Sequence, residues 1–132
     1  LLISRGRQHE LDLKKMTAGK YTFALKNALG EELTFGIDNT TKELFVDRSK
    51  SGNTDFGNHF ATAVSKAPLN KVYSNVKMKL VIDKTSIEIF FNDGEKVLTE
   101  IFFPSEHFSE LYLSTDTKGS TLNIRGHQLN IN

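Results

Sequence analysis

The stretch Ile82–Glu95, IDKTSIEIFFNDGE, decides the fold. Ile87, Ile89 and Phe91 occupy every second position, with Ser86, Glu88 and Phe90 between or before them. A period of two puts the first set on one face of a strand and the second on the other. Asn92-Asp93-Gly94 then interrupts the run with turn residues, and a second apolar stretch follows from Glu95 to Phe103. Two extended segments around Asp-Gly read as a β-hairpin. A two-residue type I′ loop is compatible with this, but the favoured expectation is a three-residue loop with Gly94 left-handed. On that register Ile89 faces Val97, Ile87 faces Thr99, and Glu88 lies opposite Leu98 and diagonal to Lys96. On either register Ile87, Ile89 and Phe91 form the core side, and Glu88 shares a mixed outer face with Ser86 and Phe90.

The same alternation extends outward in both directions. Tyr21, Phe23 and Leu25 share a face, as do Leu33, Phe35 and Ile37, and Val76, Met78, Leu80 and Ile82. Leu111 with Leu113, Leu122 with Ile124, and Leu129 with Ile131 repeat the pattern. Turn residues punctuate these runs at Asn27–Gly30, Asp38–Lys42, Ser51–Asn53 and Thr117–Gly119, and Pro68 and Pro104 read as strand ends. Roughly ten short strands without helical interludes predict an all-β fold. The expectation is a two-sheet antiparallel β-sandwich, jelly-roll or lectin-like, in a single domain. Residues 1–10, with Arg5, Arg7, His9 and Glu10 close together, read as a linker, and 11–132 as the sandwich. The chain opens on Leu1-Leu2-Ile3 with no initiator Met, and is expected to be an internal piece of something longer.

Composition narrows the function. At 132 residues the chain can build one real core, and with 25% charged and 38% apolar residues it is globular rather than disordered. A net charge of +1 with no like-charge block argues against nucleic-acid and membrane-surface partners. With no cysteine, disulfides, zinc thiolates and cysteine nucleophiles are ruled out.

Glu88 raises the question of catalysis. Two-carboxylate acid/base chemistry needs a second carboxylate about 5–10 Å away across a cleft. Glu100 and Asp83 are expected near Glu88 on the same face, but a sheet face is flat or convex, and substrates bind in concave sites. Glu88 therefore reads as a structural residue bonded to a neighbouring Lys, Arg or backbone group. Two segments echo each other, VDRSKS (Val46–Ser51) and IDKTSI (Ile82–Ile87). In each, the Asp closes a strand and accepts N–H bonds from the residues that follow. Asp47 and Arg48 point to opposite sides of an extended strand, and whichever is buried needs a partner. Asp47, Arg48, Asp83, Glu88, Asp93 and Gly94 are assigned structural roles. Phe90, Phe102 and Lys96 are candidates for docking or sugar contact on the outer face, with docking preferred because no tryptophan supplies a stacking platform.

His9, His59, His107 and His127 lack the local spacing of a metal motif. Asp38-Asn39-Thr40-Thr41 offers oxygen ligands for calcium and contains a glycosylation sequon at Asn39, but reads first as a turn. No nucleophile elbow, phosphate loop or dinucleotide fingerprint is present, so neither a cofactor nor a metal is expected.

ELFVDRSKSGN (Glu43–Asn53) followed by LVIDKTSIEIFFNDGEKVLTEIFFP (Leu80–Pro104) resembles the C-terminal β-sandwich module of glycoside hydrolase family 32. That family includes invertases, levanases, inulinases and other fructan hydrolases. Its module typically carries a VDRS segment, then VDRSSVEVFVNDG, then a Thr and an Ile-Phe-Pro ending. The counterparts here are Val46–Ser49, Ile82–Gly94, Thr99 and Phe102-Phe103-Pro104. The resemblance runs from about Tyr21 to the C-terminus. It implies that chemistry belongs to an N-terminal five-bladed propeller with an Asp nucleophile and a Glu acid/base, in the retaining scheme. The propeller's Asn-Asp-Pro, Arg-Asp-Pro and Glu-Cys signatures are absent here, so no catalytic residue is assigned. It further implies a bracing partner for that propeller, met outside the cytoplasm, extracellular or periplasmic. A fructan-binding module and a self-association (homodimer) module remain open alternatives.

Overall fold

The computed structural model describes residues 8–50, 64–83, 85–92, 94–101, 104–106, 108–116, 119–124 and 127–130. Within them lie β1 (Gln8–Lys14), β2 (Lys20–Lys26), β3 (Glu32–Asp38), β4 (Glu43–Asp47), β5 (Val64–Pro68) and β6 (Val76–Ile82). The remaining strands are β7 (Ser86–Phe91), β8 (Lys96–Ile101), β9 (Glu110–Thr115), β10 (Thr121–Ile124) and β11 (His127–Asn130). A six-stranded sheet runs β11-β10-β1-β6-β7-β8 and a five-stranded sheet runs β5-β4-β3-β2-β9. Every pairing is antiparallel. The fold is the expected all-β sandwich.

Alternation explains the layers. Tyr21, Phe23 and Leu25 of β2 are buried, with half-buried Thr22 and Ala24 between them. Val76, Met78, Leu80 and Ile82 of β6 and Ile87, Ile89 and Phe91 of β7 are buried in the same way. The two inner faces close on a shared core in which Phe23 and Phe35 stack at 5.3 Å. Pro68 ends β5, and the Leu69 N–H that follows donates to the Lys42 carbonyl at 2.8 Å.

Two expectations need correction. First, β1 begins at Gln8, inside the stretch read as a linker, and His9 is buried beside Leu11 and Leu13. His9 continues the inward positions of those leucines, and the charged residues around it hid the strand. The sequence reading named no alternating run at β5, which is an edge strand lying on β4.

The second correction is the hairpin register. Ile89 pairs with Leu98, Glu88 with Thr99 and Ile87 with Glu100, one residue from the expected pairing. The loop is four residues long because Asn92 is held by β6. Its N–H donates to the Lys77 carbonyl at 2.8 Å and its side-chain oxygen accepts the Lys77 N–H at 3.0 Å. Asn92 adopts a left-handed φ of 48° and Gly94 one of 94°, as foreseen for Gly94. Tyr73 secures the far side of the loop by donating to Glu95 at 2.6 Å. That bond, with burial, pushes the Tyr73 phenol up to about 12.

Candidate functional site

The one-residue shift redistributes the chemistry of the hairpin. Lys96, Leu98 and Glu100 turn to the inner side, and Val97 and Thr99 to the outer. Val97 is accordingly 49% exposed. Lys96 therefore leaves the outer face on which docking was expected. Glu100 leaves the neighbourhood of Glu88, whose cross-strand partners are Val81 and Thr99. Among the described residues no hydrogen bond or ion pair is recorded for the Glu88 carboxylate, so the expected bonded partner is not seen there. Asp83 follows β6, exposed, with its N–H donating to the Ser86 carbonyl at 2.9 Å. Phe102 and Asp93 lie outside the described residues.

Glu100 instead meets Arg48 at 3.7 Å, and both side chains are only 12% exposed. Arg48 follows β4 in one sheet and Glu100 stands on β8 in the other, so the pair crosses the sandwich. Arg48 is thus the inward member of the Asp47-Arg48 dipeptide, and it is paired. Asp47 takes the turn role: its Oδ1 accepts the Ser49 N–H at 2.9 Å and the Ser49 hydroxyl at 2.6 Å.

The Asp38–Thr41 segment is a turn. Asp38 Oδ1 accepts the N–H groups of Thr40 and Thr41. Asn39 is fully buried, and its Nδ2 donates to the carbonyls of Thr17 (2.9 Å) and Tyr73 (2.7 Å). Its Oδ1 accepts the Tyr73 N–H at 3.0 Å. The amide nitrogen that a glycan would need is committed inside the fold, and so is the oxygen that calcium would need.

A concave region lies on the outer face of the six-stranded sheet. Glu10 and Asp12 of β1 stand directly across from Lys79 and Lys77 of β6, and Lys79 stands across from Phe90 of β7. With Gly94 at one end, these residues line a hollow of about 400 Å³. The Lys79 ammonium sits 5.6 Å from the Phe90 ring centre. Among the described residues no ion pair joins Glu10 or Asp12 to either lysine. From this group sequence reasoning selected Phe90 as a candidate contact and Gly94 for the turn alone. The available signal was the polar half of the β6 alternation, Lys77 and Lys79 between Val76, Met78 and Leu80.

The outer face of the five-stranded sheet carries smaller hollows, one of about 280 Å³ lined by Lys20, Thr22, Ser114, Thr115 and Asp116. Phe45 lies over Gly36, capped by the Lys20 ammonium at 4.6 Å. Tyr112 is 48% exposed and donates to Glu110 at 2.7 Å, which raises its pKa. Lys26 stands 5.2 Å from its ring and 3.6 Å from Glu32.

Comparison with known proteins sets this geometry in a family. The model of the "Glycosyl hydrolases family 32 C terminal" family matches residues 4–128. The chain belongs to that family. The levanase of Bacillus subtilis (strain 168) is 35% identical over 104 residues, covering 79% of this chain and 15% of that protein. The extracellular exo-inulinase of Aspergillus awamori is 31% identical over 126 residues, covering 91% of this chain and 23% of that one. In crystal form, the Aspergillus awamori exo-inulinase superposes with a TM-score of 0.71 at 28% identity, over 94% of this chain and 25% of that structure. The sucrose-6-phosphate hydrolase of Lactobacillus gasseri superposes with a TM-score of 0.64 at 26% identity, over 99% of this chain and 26% of that structure. This family 32 C-terminal domain therefore spans about a quarter or less of these relatives. In them it accompanies a much longer stretch of chain.

Proposed function

We propose that this domain is the non-catalytic accessory sandwich of a fructan- or sucrose-hydrolysing glycosidase. Its role is to brace a catalytic β-propeller in the same polypeptide and to help frame the substrate cleft. The observation that carries this reading is coverage. Nearly the whole chain matches a C-terminal family, while it spans about a quarter or less of relatives named for levan, inulin or sucrose 6-phosphate.

The site geometry supports the same division of labour. Retaining glycoside hydrolysis needs two carboxyl groups about 5 Å apart across the scissile bond. Glu88 has Val81 and Thr99 as its strand neighbours, and Glu100 points to the other side of the sheet. A domain with its own closed core can present a stiff outer surface to a partner, holding the partner's cleft in shape. We further propose an extracellular setting, since the relatives include exo-inulinases described as extracellular.

The purified chain should release no fructose from sucrose, inulin or levan. Joined to its catalytic propeller, it should raise the propeller's melting temperature and slow its thermal inactivation. Turnover by the chain alone would overturn the reading. So would a propeller whose stability and activity are the same with and without the sandwich.

A further inference from the structure

We propose that the hollow on the six-stranded sheet is a binding site for a neutral oligosaccharide segment. This goes beyond the bracing role and does not depend on it, since a sandwich can hold a partner with one surface and a ligand with another. The size is right: about 400 Å³ lies within the range of small-molecule sites, roughly 300–1,000 Å³. The charge pattern selects the ligand class. Glu10 and Asp12 bring two negative charges, and Lys77 and Lys79 two positive ones, so the hollow favours neither an anion nor a cation.

It is dense in hydrogen-bonding capacity all the same. Two carboxylates accept and two ammonium groups donate, and although they face one another in register across β1 and β6, they form no ion pair with each other. An uncharged ligand crowded with hydroxyls, each both donor and acceptor, matches this alternation. Asp12 and Lys79 are half-buried, which strengthens charge-assisted bonds to hydroxyls relative to open water. Phe90 adds an apolar wall against the C–H edge of a sugar ring, and Gly94 leaves one end open with no side chain in the way.

The test is titration of the isotope-labelled 132-residue chain with a short β-fructan oligosaccharide, followed by backbone amide NMR shifts. A malto-oligosaccharide of equal length serves as a second probe. Saturable shifts are expected at Glu10, Asp12, Lys77, Lys79 and Phe90. The double variant Asp12→Asn, Lys79→Gln should bind at least about tenfold more weakly, because each lost charge-assisted bond counts for that much. Its melting temperature should change little, since among the described residues neither side chain belongs to an ion pair and Lys79 gives up only its contact with the Phe90 ring at 5.6 Å. Binding of the fructan alone gives the site linkage selectivity, and binding of both sugars gives it general hydroxyl recognition. Either result supports the proposal. No shifts at tens of millimolar sugar, shifts on another surface, or full binding by the folded double variant would each overturn it. None of these three would touch the bracing role, which is tested by propeller stability.

Discussion

Gly36 shows how one residue ties two faces of a sheet together. It sits in the middle of β3, paired with Thr22 of β2 and Phe45 of β4. A β-carbon built on it would stand 1.9 Å from the Tyr21 carbonyl oxygen and 3.2 Å from the Phe45 ring edge. The first contact is with backbone and cannot be relieved by a rotamer change. The glycine is needed for space, not for backbone conformation, since it is absent from the positive-φ positions. Gly36→Ala should therefore force β2 and β3 apart and lose about 3 kcal/mol or more, the upper end for overpacking. Denaturant unfolding of the variant checks this. An unchanged midpoint would mean that the ladder bends around the methyl group. The alternation Leu33, Phe35, Ile37 announced the strand, but not this crowding. Phe45 could not be placed over Gly36 until β4 was paired beside β3, and the same is true of Asn39. Its two donated bonds go to Thr17 and Tyr73, remote in sequence, so the local pattern showed only a turn and a sequon.

At the scale of elements, the strands were legible and their registers were not. The inward residues of β2, β3, β6 and β7 follow directly from a period of two. In β8 the sequence Lys96-Val97-Leu98-Thr99-Glu100 sets two apolar residues side by side, so either face satisfies the pattern. The deciding contact, Asn92 with Lys77, comes from a third strand. Turn attachment works the same way between β2 and β3. Asn27 Oδ1 accepts the N–H groups of Leu29 and Glu31, and its Nδ2 reaches Glu31 at 2.9 Å. Glu31 in turn accepts the Ser105 N–H at 2.7 Å and the Ser105 hydroxyl at 3.1 Å, so the turn is fastened to the segment beyond β8. The Asn27 bond, followed by those from Ser105 and Glu106 against an opposing desolvation cost, holds the Glu31 carboxyl below its ordinary range. A carboxyl with a depressed folded-state pKa contributes stability that is complete above its unfolded-state pKa. That contribution is lost as pH falls through the folded value. Glu31→Gln keeps the shape and one acceptor but removes the charge, so it should melt below the native chain at neutral pH. The gap should narrow on acidification below roughly pH 4. Thermal melts across that range decide it, and a gap independent of pH would assign the effect to geometry instead of charge.

For the whole molecule, the question is what keeps the two sheets in one relation to each other. The apolar core supplies most of the adhesion but little direction, because dispersion contacts tolerate sliding. Polar links across the layers supply the direction. Near β10, the Tyr21 hydroxyl meets Ser120 at 2.8 Å and Ser120 donates to the Lys15 carbonyl at 3.0 Å, tying β2 to the connections around β1 and β10. At the β8 edge, the Arg48–Glu100 pair crosses from one sheet to the other. Its separation is longer than a charge-assisted hydrogen bond of about 2.7–2.9 Å, yet both groups are largely withdrawn from water. Such a pair should couple by about 1 kcal/mol, more than most exposed pairs and less than an ideal buried one. Arg48→Met, Glu100→Gln and the double variant, compared by denaturant midpoints, measure that coupling directly. Each single change should cost about 1–2 kcal/mol, because it takes the opposite charge away from a group largely withdrawn from water. The double change should cost less than the sum. The coupling should persist at high salt, because screening acts weakly on charges this shielded. Strict additivity would mean that Arg48 is held by its other neighbours, and that the seam at β8 is closed by packing alone. In that case the edge nearest the hairpin would be the softest part of the sandwich. A bracing domain should then present another edge to its partner.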